Sequence, residues 1–80
     1  MAVDRARLRV ELVSPPDRSF LVAAVMCGNE QVAEVNVEQE RMSIQLYRGS
    51  SGEPFQLDFA EFQHAIEEAG RRLSERTGRR

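Results

Sequence analysis

The chain has 80 residues, enough for one small domain, and its apolar share of 41% with 30% charged residues suits a folded core rather than a disordered segment. Net charge is only −2, and no apolar run reaches the roughly 18–20 residues of a membrane-spanning helix. One cysteine, Cys27, excludes an intrachain disulfide; with a charged start and no apolar stretch behind it, a secretory signal is not expected, and a cytoplasmic setting is.

In chain order, Arg7 to Val13 alternates: Leu8, Val10 and Leu12 share one side, Arg7, Arg9 and Glu11 the other, the pattern of a half-buried strand. Ser14-Pro15-Pro16-Asp17 ends it, because proline lacks a ladder donor and restricts the residue before it. Phe20 to Cys27 is continuously apolar, which predicts a second strand covered on both faces. Gly28-Asn29 closes it as a hairpin turn. Ala33, Val35 and Val37 then alternate with Glu34, Asn36 and Glu38, a third strand with a polar outer face. After a turn at Gln39-Glu40-Arg41, Met42, Ile44 and Leu46 alternate with Ser43, Gln45 and Tyr47 as a fourth. The segment Gly49-Ser50-Ser51-Gly52-Glu53-Pro54 predicts a flexible loop, and Phe55-Gln56-Leu57 a short extended piece that would make a fifth strand.

A helix is predicted from Phe59 to about Glu75. Asp58 stands at the N-cap, where its carboxylate accepts from first-turn amides, and Glu61 three residues on completes an acidic capping box. Phe59, Phe62, Ala65, Ile66, Ala69 and Leu73 fall within an arc of about 120° and should face inward. Glu67 and Glu68 precede Arg71 and Arg72 by one turn, a spacing that suits exposed ion pairs. Gly70, at the edge of that arc, costs ~1 kcal/mol in a helix interior and so predicts close packing. The fold is therefore α+β: a mostly meandering antiparallel sheet of four strands, with the short fifth piece, and one C-terminal helix on one face (β-β-β-β-α). Residues 1–80 form a single domain with frayed ends at 1–6 and 76–80.

No pattern in the chain completes a chemical site. His64 points away from the apolar arc, and Cys27 ends an apolar strand with no basic residue close in sequence, so both read as structural or surface residues. The carboxylates from Glu30 to Glu40 alternate with valines instead of ringing a glycine turn as calcium loops do. The glycines of the 49–54 loop match no phosphate-binding spacing. No catalytic residue, metal ligand or cofactor is assigned, and the chain is not expected to be an enzyme.

The leading expectation is a small binding or adaptor module of immunity- or accessory-protein type that acts by protein–protein contact. Its surface would be the polar sheet face with Glu34, Asn36 and Glu38, joined by Tyr47 and Arg48. All eleven basic residues are arginine, a composition that follows from a GC-rich bacterial genome or from anion recognition. The β-β-β-β-α order resembles that of dimeric single-stranded-DNA binders of the Whirly kind, though no motif is shared. That resemblance implies a nucleic-acid alternative using Arg7, Arg9, Arg71 and Arg72, opposed by the acidic third strand and the lack of stacking aromatics. A third expectation is a homodimer or larger self-association through an edge strand or the helix.

Overall fold

The structure is a computed structural model that describes residues 8–17, 20–38 and 40–77. Four strands, β1 (Leu8–Val13), β2 (Val22–Cys27), β3 (Glu30–Asn36) and β4 (Ser43–Leu46), precede one helix, α1 (Phe59–Thr77). The sheet is an antiparallel meander in the order β1-β2-β3-β4, so the predicted α+β architecture is present. Phe55-Gln56-Leu57 supplies only an isolated bridge at Leu57, and no fifth strand occurs among the described residues.

Two local signals act as the sequence implies. Gly28 and Asn29 are the whole β2–β3 connection, since Cys27 pairs with Glu30. Gly28 has φ +62 while Asn29 stays negative, the sign pattern of a type II′ turn, which matches the natural twist of a hairpin. At the helix start, Asp58 Oδ2 accepts from the Glu61 amide at 3.0 Å, and the Asp58 carbonyl accepts from Phe62 at 3.0 Å. The helix runs past Glu75 to Thr77, whose Oγ1 donates to the Leu73 carbonyl at 2.8 Å. Part of the tail expected to fray, Arg76 and Thr77, is thus helical. Residues 1–7 and 78–80, Arg7 among them, lie outside the described residues.

Register decides which side chains meet the helix. Leu8, Val10 and Leu12 stand opposite Cys27, Val25 and Ala23, and Val25 and Ala23 stand opposite Ala33 and Val35. Cross-strand partners share a face, so this set forms the inner layer. The ladder slips between Val25 and Met26: Val25 faces Ala33 but Met26 faces Gln31, which leaves Val32 as the extra residue of a β-bulge. Val32 and Ala33 consequently both join the core. The helix answers with Ala65, Ala69 and Leu73, all buried, while Phe62 and Ile66 pack at the margin. Gly70 is a close approach, as expected, with Met42 as its neighbour: a Cβ there would lie 3.1 Å from Met42 Sδ.

The helix packs across β1, β2 and β3 and leaves β4 uncovered. Strands ~4.8 Å apart make a four-stranded sheet about 14 Å wide between its outer strands, whereas one helix with its side chains is about 10–12 Å across. One helix therefore cannot roof the whole sheet. Ile44 (50% exposed) and Leu46 (69%) lie on the helix side of β4, opposite Val35 and Ala33, yet face outward. Phe59, expected to point inward, is 81% exposed because it sits at the first helical position, beyond the edge of the roofed area.

Candidate interaction surface

The polar sheet face is less open than its alternation implied. Glu34 is 4% exposed and Asn36 8%. Asn36 Nδ2 donates to Glu34 Oε2 at 3.1 Å, Tyr47 Oη donates to Glu34 Oε1 at 3.2 Å, and the Glu38 amide donates to Asn36 Oδ1 at 3.2 Å. Buried polar groups are costly unless bonded in this way. Glu34, Asn36 and Tyr47 thus form an internal polar network next to β2, with the exposed Glu38 at its end. Sequence alternation told the face of Glu34 and Asn36 correctly, but these side chains are covered by their neighbours on β2 and β4 and paired with each other and with Tyr47. Arg48 is exposed and donates to the Gly52 carbonyl at 2.9 Å, away from that network.

The arginines of the nucleic-acid alternative are also engaged where they are described. Arg9 donates from Nε to Glu11 at 2.6 Å and from Nη1 to the Gly28 carbonyl at 2.7 Å. Arg71 pairs with Glu75 at 3.1 Å in place of Glu67, and Arg72 donates to the Val10 carbonyl at 2.8 Å and pairs with Glu68 at 3.5 Å. Each of these guanidinium groups is thus already bonded to a carboxylate, a backbone carbonyl or both.

The two chemical candidates differ in setting. Cys27 is buried within the core cluster, and His64 is exposed on α1 beside Glu68, 3.9 Å away. Among the described residues no group of three or more His, Cys, Asp and Glu side chains could hold a metal ion. No helix of the structure is long and apolar enough to cross a membrane. The 49–54 loop, expected to be flexible, is internally bonded. Gly52 (φ +86) donates to the Gly49 carbonyl at 2.9 Å, and Glu30 Oε1 accepts from the Ser50 amide at 2.6 Å, tying the loop to the start of β3.

That tethered loop builds a surface no linear motif announced. It lies beside β4 and the first turn of α1, and between them runs an apolar groove of about 510 Å³. Leu46 and Val32 form its sheet side, Phe55 and Leu57 its loop side, and Phe59 and Phe62 its helix side. Ile44 continues the apolar surface along β4, two residues from Leu46 and on the same face. Large contiguous apolar patches on a protein surface are often contact sites.

The edge next to the groove is open as well. The Tyr47 amide donates to the Val32 carbonyl at 3.0 Å, so Tyr47, and by alternation Gln45 and Ser43, turn their backbone groups toward β3. Ile44 and Leu46 turn both N–H and C=O to the outer side, where no described residue bonds them. At the opposite edge of the sheet, Arg72 covers the Val10 carbonyl. The signal available in the sequence was the apolar stripe Ile44–Leu46; reading it as core missed that one helix is too narrow to reach it.

No family model, curated protein or solved structure matches this chain.

Proposed function

We propose that the chain is a small non-enzymatic binding module that acts by protein–protein contact, accepting a partner strand along β4. The carrying observation is the coincidence of an open strand edge at Ile44 and Leu46 with the apolar groove behind Leu46. In strand addition, main-chain hydrogen bonds provide affinity, and pockets for alternate side chains provide selectivity. Ile44 and Leu46 offer the first, and the groove bounded by Phe55 and Phe59 offers the second. The contact surface first read from sequence, centred on Glu34 and Asn36, moves with this reading to the other face of β4, because those two side chains already satisfy one another.

Selection of random phage-displayed peptides against the purified protein tests the proposal, with the binders mapped by amide chemical shifts. The expected binders alternate apolar and polar residues and shift Ile44, Leu46 and Phe59. Leu46→Arg should abolish their binding without unfolding the protein, since Leu46 is largely exposed. Binders that leave β4 unshifted would overturn the proposal.

A further inference from the structure

We infer that the strand seated on β4 is β4 of a second copy of this chain, which forms a two-fold dimer with one continuous eight-stranded sheet. The inference rests on the reading of β4 as a docking edge and names its occupant. A two-fold contact sets each residue against its own kind, so the patch must be complementary to itself. Ser43-Ile44-Gln45-Leu46 meets that condition, because it has no charge to repel its copy. Gln45, at its centre, carries both donor and acceptor on one amide, so two copies can bond to each other.

The register follows from which groups face outward. With the axis at Gln45, Ile44 stands opposite the partner's Leu46, and Leu46 opposite the partner's Ile44. Each such pair exchanges two backbone hydrogen bonds, and every outward group of β4 is satisfied by β4 itself. Centring on Ile44 or Leu46 instead would pair groups of β4 with residues outside the strand. In the Gln45 register both copies keep their helices on one face, and the partner's Ile44 lands beside Leu46 at the rim of the groove.

A two-fold contact uses the β4 edge of both copies, so growth past two would need the other edge of the sheet. Head-to-tail growth would place β4 of one copy on β1 of the next. Arg72 lies across one point of that edge, through its bond to the Val10 carbonyl. A strand added there would have to displace that bond. The β4-to-β4 contact meets no such obstacle among the described residues, and being two-fold it closes.

Sedimentation velocity over a range of concentrations, combined with three Gln45 variants, tests the inference. The native chain should sediment as a reversible dimer. Gln45→Lys should raise its dissociation constant at least tenfold, and mixing Gln45→Lys with Gln45→Glu should restore a heterodimer. The two Gln45 Cα atoms would lie about 4.5 Å apart, as at other non-hydrogen-bonded pairs, within disulfide reach. Mild oxidation should therefore cross-link Gln45→Cys, but not Ser43→Cys, whose copies are four residues out of step. Cys27 is buried, and the native chain treated alike is the control. A native monomer at all concentrations, or a dimer indifferent to charge at Gln45, overturns the inference. If a monomer still takes alternating peptides at β4, the docking edge stands and only the second copy falls. If peptides map elsewhere too, both readings fall.

Discussion

Arg72 and Val10, 62 positions apart, are joined by a 2.8 Å hydrogen bond from the Arg72 guanidinium to the Val10 carbonyl. The bond ties the helix to an outer strand and leaves the two edges of the sheet unequal, with one β1 carbonyl covered by a side chain and the outward groups of β4 open. Removing it should have two effects. Arg72→Ala should lower stability by about 1 kcal/mol, the typical net worth of one hydrogen bond, read as a lower urea midpoint. It should also free the one β1 carbonyl that Arg72 covers, so the variant should form larger species than the native chain in light scattering. A variant that loses stability but keeps the native size distribution would show that Arg72 is a structural strut only.

Tyr47 and Glu34 make a second test. Tyr47→Phe withdraws the hydroxyl of a half-buried ring that donates to Oε1 of the buried Glu34. A lost bond to a buried carboxylate costs roughly 1.5–3 kcal/mol, and thermal unfolding should register it. Glu38→Gln, at the exposed end of the same network, should leave the midpoint within about 0.5 kcal/mol of native.

At Gly70 two effects of known sign compete. Alanine gains ~1 kcal/mol of helix propensity over glycine. Its Cβ would meet Met42 Sδ at 3.1 Å, tighter than an ordinary contact. Met42 is an unbranched thioether at a half-buried position and can shift by a few tenths of an ångström. Gly70→Ala should therefore be neutral to stabilising, by up to ~1 kcal/mol, whereas Gly70→Val should destabilise. A clear loss in the alanine variant's denaturant midpoint would mean that Met42 is held in place by more than its own packing.

Phe59 and Leu73 lie on one predicted apolar stripe and should respond in opposite ways. Leu73→Ala empties a fully buried site and should cost about 2–5 kcal/mol. Phe59→Ser touches a ring that is mostly in solvent and should leave the unfolding midpoint nearly unchanged. It should weaken whatever occupies the groove, measurable as a shift in the peptide or dimer dissociation constant.

This contrast also shows what local pattern can and cannot reveal. Alternation identified β1, β3 and β4 and the inner residues of β1 and β3, because a period of two is a property of each strand alone, while β2 was legible from its continuous apolar run and the meander from the short turns. Asp58 with Glu61 located the helix start, because capping is local too. The pattern did not reveal Ile44, Leu46 and Phe59 as surface. Their exposure depends on the width of one helix against four strands, a relation between elements and not within any of them. Nor did it reveal that Glu34 and Asn36 are buried, which arises from their neighbours across β2 and β4. The groove was hidden for the same reason, since its walls come from β3, β4, a loop and the helix.

Val32 gives β3 a tolerance that its neighbours lack. Elsewhere in the sheet, losing one residue would turn every later side chain over and exchange the wet and dry faces. At the bulge, deletion of Val32 would bring Gln31 directly after Ala33 in the ladder, still opposite Met26. The strand would become straighter and lose one buried valine, yet keep both faces in phase. Length variation inside this sheet is therefore cheapest at that single position, which makes it the natural seam at which the β2–β3 hairpin could be altered without rewriting the rest of the chain.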